Sequence, residues 1–553
     1  MKKLFKGFEK SKVIAALFIA VEACIILLGV LFLVTYHFYQ ALGCLLWGMV
    51  LCYLFIINPL SPFHHQSFLT ADKHRAKREN IITASVCTLL ILACIIPMGA
   101  APAYNGEFPQ HRNQYELLAR SMMNGHIYIE YDDVDPVLEQ INPYDPAQRN
   151  EVNAIFHADN AYYKGHYYMY FGVVPVILLF LPYLLITGQD LTTYHGTQIF
   201  AAFAIIGIFL LFRQLAKKYF PTMSYVMLLS LSTAFATICV YFSVGTPALY
   251  CTATTSAVCM VVWSFYFFIR AIYLTPAEKR WKRVSLAALG SLFGALAFGC
   301  RPTAALANLV LIPFFIEYLR SELAYSNSRK KILQLVGRIC VIALPYVIVG
   351  VLLMLYNYSR FENPFEFGQA YQLTSADQSQ YGSFFENFST VRTVNGLLYN
   401  FIGFTPIIGE FPYVYYNSAF VNFPILLIGF AFVSGNVWKK VKEYKMRLFL
   451  MTLFILPVLI TVIQIAWAPG NGSAERYRMD IYSILTLLAF LVIGFLNEAV
   501  SKEKRGVWGA VICLLCLEVM LICPLFLLFP DDYNYTHWYP ESLSVWRQIF
   551  MLH

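Results

Sequence analysis

Runs of about 20 predominantly apolar residues recur along the whole chain, and this pattern constrains the fold more than any other sequence feature. Each run is long enough to cross a hydrocarbon core about 30 Å thick as an α-helix. Of the 553 residues, 59% are hydrophobic and only 13% are charged, whereas a soluble domain carries about 25% charged residues. The sequence therefore predicts an all-α polytopic membrane protein.

The apolar runs define about 13 predicted transmembrane helices. These are 13–36, 40–58, 81–101, 193–212, 224–242, 249–273, 285–300, 303–319, 336–357, 419–435, 447–467, 479–497 and 507–529. Short basic loops between them are typical of the cytoplasmic side, so the net charge of +8 requires no nucleic-acid partner. These loops are 72–80, 213–220, 278–283, 328–331, 438–447 and 501–505.

The segment Met169–Gly188 is apolar enough to be a further span, but the basic loops argue against its crossing. If it crossed, five of the six basic loops would lie outside, whereas all six lie inside if it does not. We therefore expect a membrane-associated helix on the outer face, interrupted at Pro175 and Pro182. The amino terminus is then cytoplasmic and the carboxyl terminus external; the open alternative is an ordinary span in another topology.

This topology leaves two large external loops, 102–192 and 358–418, and loops of such length usually carry function. In the first, Asn113–Asn124 is predicted as a short helix that Gly125 terminates. Glu116 is placed to form a capping box, which gives this carboxylate a structural explanation.

Other carboxylates of the first loop are candidates for chemistry. Glu107 lies a few residues beyond the outer end of a span, where it could meet a lipid-borne substrate, although a solvated loop charge explains it equally well. Asp159 precedes a tyrosine-rich stretch and is the second candidate. Asp132, Asp133 and Asp135 could hold a divalent cation, but a polar turn is the simpler interpretation.

Aromatic side chains are dense in both external loops. Aromatic faces with a few polar groups suit sugar or lipid-headgroup binding, and simple anchoring at the membrane interface is at least as common. The predicted substrate contacts are Tyr162, Tyr163, Tyr167 and Glu366.

Four arginines lie at the outer ends of predicted spans, where positive charge is disfavoured. They are Arg301, Arg360, Arg476 and Arg478. A charge kept at such a place implies an anionic partner, and the guanidinium fork matches phosphate oxygens. For any single arginine, an ion pair with a neighbouring carboxylate is an equally good explanation. The neighbouring carboxylates are Glu362, Glu366, Glu475 and Asp480.

Four stretches carry a resemblance to a known superfamily: "NPYDPAQR", "YYKGHYYMYFGVVP", "NYSRFENPFEFGQAYQL" and "ERYRMDI". With a basic amino terminus and a large first external loop, the chain resembles GT-C fold glycosyltransferases, and more narrowly uncharacterised bacterial members. The superfamily includes protein O-mannosyltransferases, the aminoarabinose transferase of lipid A and the oligosaccharyltransferase catalytic subunit. The resemblance covers 81–553, and 1–80 looks like two additional transmembrane helices.

The resemblance implies transfer of a sugar from a polyprenyl-phosphate donor, on the outer face of the bacterial cytoplasmic membrane. The acceptor would be a cell-envelope glycan, lipid or protein. Carried over by position, Glu107 is the candidate base and Asp159 the second choice, while the arginines hold the leaving phosphate. No cofactor is expected. Metal dependence is doubtful because the short turn "VGTPALY" has no carboxylate where other members carry one.

The chemistry needs only a base on the acceptor and charge stabilisation on the leaving phosphate. The alternative function is a transporter or flippase for a lipid or saccharide. Such proteins usually show inverted repeats and charged or broken helices near the midplane. This chain has no clear repeat, and Glu22 and Glu518 are the main ionisable residues inside its spans.

Overall fold

The structure, a computed structural model, describes residues 2–61, 73–95, 114–245, 249–275, 279–323, 329–381, 384–404, 417–467, 475–528 and 541–549. Its α-helices are α1 (Lys2–Val34), α2 (Phe38–Ile57), α3 (Lys73–Ile95), α4 (Gln114–Met123), α5 (Pro146–Glu151), α6 (Leu181–Thr187), α7 (Thr193–Tyr219), α8 (Tyr225–Gly245), α9 (Leu249–Ile269), α10 (Arg280–Phe298), α11 (Pro302–Ala305), α12 (Ile312–Leu323), α13 (Arg329–Phe361), α14 (Phe384–Asn387), α15 (Thr390–Phe401), α16 (Ala419–Asn422), α17 (Gly435–Glu443), α18 (Arg447–Trp467), α19 (Glu475–Ala499), α20 (Lys502–Leu528) and α21 (Glu541–Ile549). The strands are β1 (Asn160–Tyr163) and β2 (His166–Met169). Shorter 3-10 or π segments are Pro136–Glu139, Val176–Phe180, Arg270–Leu274, Leu306–Leu311, Gln378–Gln380 and Pro424–Val433.

Within these ranges, eleven helical segments are long and apolar enough to cross a membrane, so the chain is an all-α multi-pass membrane protein, as predicted. Two of the 13 predicted spans are shorter or more polar than expected. The one at 285–300 lies in α10, whose first turn carries Arg280, Lys282 and Arg283. The one at 419–435 contains a ten-residue 3-10 segment, which extends about 20 Å at 2.0 Å per residue.

The centre of the bundle is formed by α7, α8, α9 and α19, and α19 is buried along almost its whole length. α10 packs on α9 and α13, and α20 packs on α8. α1 is peripheral: it packs against α2, and the described part of its apolar segment has no buried residue.

The two long loops that the sequence predicts to be external, 102–192 and 358–418, are joined in one small sheet in their described parts. β1 pairs with β2 in antiparallel register through a tight turn at Lys164 and Gly165, both with positive φ. On the other edge of β1, the Tyr162 N–H donates to the Tyr371 carbonyl at 2.9 Å. Beyond β2, the Ile129 N–H donates to the Tyr167 carbonyl at 2.7 Å. The second loop therefore adds an edge to the hairpin of the first.

The segment Met169–Gly188 is helical only in its second half, which corrects the sequence prediction. Met169 ends β2, and the apolar helix covers Val176–Thr187. Twelve residues rise about 18 Å, which is too short to cross a 30 Å core unaided. Pro175 sits at the start of this helix instead of breaking it, because proline suits the first turn.

Glu116 joins the first external loop to the bundle. Its Oε1 accepts from the backbone N–H of Thr193, at the start of α7. Burial raises the pKa of Glu116 to about 7, although the Thr193 hydrogen bond acts in the opposite direction. This is a structural role, as expected, but with α7 as the partner; Asn113, the predicted capping partner, lies outside the described residues. Gly125 follows α4 with φ of 87° and terminates it as predicted.

Candidate functional site where α10 ends and α19 begins

The first external loop lies directly on the turn that leads to Arg301. The Val174 N–H donates to the Gly299 carbonyl at 2.9 Å. A Cβ atom on Gly172 would lie 2.1 Å from the Gly299 oxygen. Only a glycine permits this approach of two backbones, so the sequence at Gly172 sets the position of the loop relative to Arg301.

A buried carboxylate, that of Asp480, binds Arg301 through its Nε. Its Nε lies 2.9 Å from both carboxylate oxygens of Asp480, and the Asp480 side chain is fully buried. Asp480 Oδ2 also accepts from Thr303 Oγ1 at 2.7 Å and from Gln464 Nε2 at 2.8 Å. Burial is the largest single influence and acts to lower the pKa of Arg301, but the charge and hydrogen bond of Asp480, together with Tyr477 and Tyr170, raise that pKa overall.

These hydrogen bonds use only the Nε of Arg301. Its two terminal nitrogens have no hydrogen-bond partner among the described residues, and they are not counted among the fully buried unsatisfied atoms. They form a planar pair of N–H donors of the kind that binds phosphate or carboxylate oxygens in a bidentate manner. The ion pair with Asp480 and an open donor fork therefore coexist on one guanidinium.

Arg476 contacts the same tyrosine ring as Arg301 and has no ion-pair partner among the described carboxylates. Its guanidinium carbon is 4.4 Å from the centroid of the Tyr250 ring and 5.4 Å from that of Tyr477. The guanidinium carbon of Arg301 is 5.1 Å from the same Tyr477 ring. Tyr477 thus lies against both arginines, and Arg476 contributes a positive charge that no described carboxylate neutralises.

Asp159 is connected to this pair through Tyr250. The Tyr250 hydroxyl donates to Asp159 Oδ2 at 2.5 Å, while the ring of the same tyrosine lies against Arg476. Asp159 is buried and has φ of 60°, a left-handed conformation that costs energy for a residue other than glycine. Its N–H donates to the Leu373 carbonyl at 2.9 Å. Both external loops therefore hold this carboxylate in place.

Tyr170 lies within electrostatic range of both arginines. Burial is the largest cause that raises its pKa to about 12; the charges of Arg301 and Arg476 lower it, and Glu366 raises it. Glu366 Oε1 accepts from the Gly368 N–H at 2.6 Å, within its own loop. The predicted residue Glu366 therefore lies within electrostatic range of Tyr170, and its described hydrogen bond is made within its own loop.

Two of the four predicted phosphate-binding arginines lie elsewhere. Arg360 is buried, and its terminal nitrogens donate to the Met169 carbonyl at 2.8 Å and to Asn357 Oδ1 at 2.6 Å. Arg478 is buried and forms an ion pair with Glu475 at 2.5 Å. For these two arginines, the structure favours the alternative of an internal partner.

The three predicted substrate tyrosines form part of the external layer. Tyr162 and Tyr167 are buried and pack with Leu138 and Leu373 beneath the small sheet. The Tyr163 ring lies 4.7 Å from that of Tyr371, also in the second loop. The structure therefore does not bring them to the arginine pair and gives each a packing role.

The acidic turn in the first loop is held by its own hydrogen bonds. Asp133 pairs with His157 at 2.9 Å. Asp135 accepts from the backbone N–H groups of Ile155 and Val137, which lower its pKa. No group of three metal-ligating side chains occurs in the part of the chain that the structure describes.

Glu107, the first-choice base, lies outside the described residues, and its role stays a prediction. Five site residues were missed by sequence reasoning: Tyr170, Tyr250, Thr303, Gln464 and Tyr477. Tyr477 stands between two arginines in "ERYRMD", which was the available signal. Tyr250 closes "VGTPALY", a turn in which the absence of carboxylates is the more evident sequence feature.

The fold and this site define a class: a multi-pass helical membrane protein with an arginine pair and a carboxylate at one end of its helices.

No protein-family model matches the chain, and no curated protein matches it significantly. The chain is similar to the Archaeoglobus fulgidus oligosaccharyltransferase in the apo form, with 13% identity over 84% of this chain and 58% of that one, and a TM-score of 0.41. For the same enzyme tethered to an acceptor peptide containing the NVT sequon, the identity is 12% over 85% of this chain and 59% of that one, and the TM-score is 0.36. The chain thus spans less than two thirds of that enzyme, and TM-scores below 0.5 leave the likeness too weak to assign a fold family or an activity.

Proposed function

We propose that this protein is an integral-membrane glycosyltransferase of the GT-C kind. It transfers a sugar from a polyprenyl-phosphate donor to an acceptor on the outer face of the cytoplasmic membrane. The observation that carries the proposal is the open donor fork of Arg301, fixed by buried Asp480 and flanked by the unneutralised Arg476.

The arginine pair suits the leaving group of such a reaction. As the bond between the sugar and the phosphate breaks, negative charge increases on the phosphate oxygen. Donors that are already oriented stabilise this charge without reorganising. Asp480 holds Arg301 by its Nε, so the terminal nitrogens keep one direction before the substrate arrives.

The carboxylate suits the acceptor. An acceptor hydroxyl oxygen attacks the anomeric carbon, and its proton passes to a carboxylate. The bond from the anomeric carbon to the phosphate oxygen breaks, and its electron pair leaves with the phosphate. Asp480 is bound to Arg301, Thr303 and Gln464, whereas Asp159 is linked to the arginine pair indirectly, through Tyr250, and is our described candidate for the base. Glu107 remains the other candidate for this role.

The position of the site favours an enzyme over the transporter or flippase. Transporter sites lie near the bilayer midplane, at broken helices. Here Arg301 lies between the end of α10 and the start of α11, and Arg476 is in the first turn of α19. Both arginines are therefore at helix ends, where the external loops can cover a reaction.

The proposal extends to partners and cofactors. The donor is a polyprenyl-phosphate-linked sugar, and the acceptor is a cell-envelope glycan, lipid or protein. The multi-pass protein would lie in the bacterial cytoplasmic membrane with its amino terminus inside and its carboxyl terminus outside. No cofactor is required by the residues at the site, since arginines supply the charge that a divalent metal would otherwise provide.

Native mass spectrometry of the purified full-length protein with added polyprenyl phosphate tests the proposal. Arg301→Gln and Arg476→Gln should each weaken binding about 10-fold or more, because each removes charge-assisted hydrogen bonds worth about 1.5–3 kcal/mol. Arg120→Gln is the matched control: this arginine is also external, but it pairs with Asp190 at 2.6 Å. Unchanged binding by both folded site variants would contradict the proposal.

The same preparations distinguish the carboxylates. Asp159→Asn and Glu107→Gln should keep lipid binding, and the one that supplies the base should lose sugar transfer in vesicles that contain labelled lipid-linked sugars. Full transfer activity by either variant would remove that residue as the base.

A further inference from the structure

Tyr250 contacts both halves of the candidate site with different parts of one side chain. Its hydroxyl donates to Asp159 Oδ2 at 2.5 Å. Its ring lies against Arg476, whose guanidinium carbon is 4.4 Å from the ring centroid. In the proposed reaction, Asp159 serves the acceptor and Arg476 serves the phosphate, so this tyrosine is in contact with one group from each half.

The position of Tyr250 is set by the fold around it. It is the second residue of α9 and lies between Leu249 and Cys251, which are both buried. Its carbonyl accepts from Thr254 Oγ1 at 3.0 Å, one turn further along the helix. The Phe171 ring lies edge-on to the Tyr250 ring, with centroids 5.2 Å apart and an angle of 87° between the planes. The bundle and the first loop therefore hold this tyrosine in one place before a ligand binds.

The ring of Tyr250 is suited to direct Arg476. No ion pair with a described carboxylate sets the direction of this arginine. Of the two rings that its guanidinium contacts, Tyr250 is nearer than Tyr477, at 4.4 Å against 5.4 Å. A cation–π contact attracts the positive charge and does not consume N–H donors. The ring can therefore orient Arg476 while its donors stay available for phosphate oxygens.

The hydroxyl of Tyr250 is suited to direct Asp159. The main chain of Asp159 is fixed by two other bonds: its N–H donates to the Leu373 carbonyl at 2.9 Å, and its carbonyl accepts from Gln114 Nε2 at 3.2 Å. The Tyr250 hydroxyl then fixes one oxygen of the carboxylate itself. A general base must lie within hydrogen-bond reach of the proton that it removes, and small misplacements are costly. The hydroxyl therefore determines the direction of the candidate base.

We propose that Tyr250 is a positioning residue with two separable roles. Its ring directs Arg476 towards the phosphate of the donor, and its hydroxyl directs Asp159 towards the acceptor. The proposal rests on the proposed function for the identity of donor and acceptor. Tyr250 itself takes no proton and forms no bond to the substrate. Because both groups are directed by one side chain, the phosphate site and the base keep a fixed relation to each other.

Binding of polyprenyl phosphate to the full-length protein, measured by native mass spectrometry, tests the role of the ring. Tyr250→Leu should weaken binding about 5-fold, whereas Tyr250→Phe keeps the ring and should bind within about 2-fold of the wild type. In the Arg476→Gln background, Tyr250→Leu should weaken binding no further, because the arginine that the ring directs is absent. Tyr128→Leu is the matched control, since Tyr128 is a tyrosine of the same loop that stacks on His166 at 4.3 Å. Additive losses in the double variant would overturn the role of the ring.

Transfer from polyprenyl-phosphate-linked mannose, glucose or galactose in vesicles tests the role of the hydroxyl. Tyr250→Phe should lower kcat about 10-fold or more and leave KM for the donor unchanged, because only the base is misdirected. Adding Asp159→Asn to this variant should lower kcat little further than Asp159→Asn alone. A tyrosine that only supports the fold would change KM as well and would add its effect to that of Asp159→Asn.

The outcomes separate this proposal from the proposed function. If both Tyr250 variants bind the lipid and transfer sugar as the wild type does, while Arg301→Gln loses the lipid, the positioning proposal is overturned and the phosphate site stands. If Asp159→Asn keeps full transfer, Glu107 is the base and the role of the hydroxyl is overturned. If the well-folded wild type binds no polyprenyl phosphate, or transfers none of the three sugars, the proposed function fails and the positioning proposal fails with it.

Discussion

Arg301 shows how an internal ion pair and a ligand site can share one side chain. From the sequence, either a phosphate ligand or a neighbouring carboxylate could be the partner of each arginine at the membrane edge. The Asp480 carboxylate accepts a hydrogen bond from the Nε of Arg301, and the N–H groups of the two terminal nitrogens remain available as donors. Whether an arginine keeps N–H donors available for a ligand depends on the side of the helix from which it projects. Arg476 and Arg478 are two residues apart on α19, about 200° around the axis, so one lies against Tyr250 and the other pairs with Glu475.

Glu116 gives a prediction about pH. Its folded pKa of about 7 lies above the ordinary value of 4.5, so the folded state binds this proton more strongly than the unfolded state does. The stabilisation is complete below about pH 4.5 and is lost as the pH rises towards 7. The melting temperature in detergent should therefore fall between pH 5 and pH 8.

The matched variant is Glu116→Gln. An amide keeps an oxygen acceptor for the Thr193 N–H but cannot ionise, so the variant should melt higher than the wild type at pH 8. The difference should be smaller at pH 5. A wild type and variant with the same pH profile would rule out Glu116 as the source of this dependence.

At the scale of elements, the apolar runs were predictable because a span is encoded locally by length and hydropathy. The hairpin was not predicted. Five tyrosines between Tyr162 and Tyr170 suggested an interfacial helix. The turn at Lys164 and Gly165, with positive φ at both residues, instead favours two strands. Pairing with Tyr371 in the distant second loop then fixes the strands, and no local pattern encodes that contact.

Cysteine labelling tests the topology at α7. Gln189→Cys lies on the exposed stretch before α7, and Lys217→Cys lies in the last turn of the same helix. In intact cells, a membrane-impermeant maleimide should label the first variant and leave the second unlabelled. The unmodified protein provides the background, since its exposed cysteines, Cys24, Cys52 and Cys340, lie within spans. Labelling only at position 217 would invert the proposed topology.

At the scale of the whole molecule, the helical class could be predicted, but the assembly of the site could not. Arg301 and Asp480 are 179 residues apart, and their meeting depends on how α10, α18 and α19 pack. By contrast, α1 lies at the periphery of the bundle. The prediction that 1–80 forms two helices added to the domain 81–553 is compatible with this position and stays a prediction.

Deletion of residues 2–61 tests that division. Removing two spans preserves the orientation of every later helix, because an even number is lost. Contact between α2 and the bundle includes the Tyr53 hydroxyl, which donates to Ser230 Oγ at 2.8 Å. The truncated protein should bind polyprenyl phosphate within about 2-fold of the wild type, with a melting temperature lower by about a few degrees. Tyr53→Phe in the full-length chain controls for this single contact, and failure of the truncated chain to fold would refute the division.

The pairing of β1 with the second external loop has a consequence for biosynthesis. The partners Tyr162 and Tyr371 are 209 residues apart. A ribosome that adds about 5–20 residues per second reaches the second about 10–40 s after the first. In the proposed topology, the hairpin is during that interval already outside the membrane with its edge unpaired, and such edges recruit other chains. With that topology, we expect newly made protein to pass through a period in which an extracytoplasmic chaperone, or the speed of translation itself, determines whether β1 pairs with the second loop of its own chain.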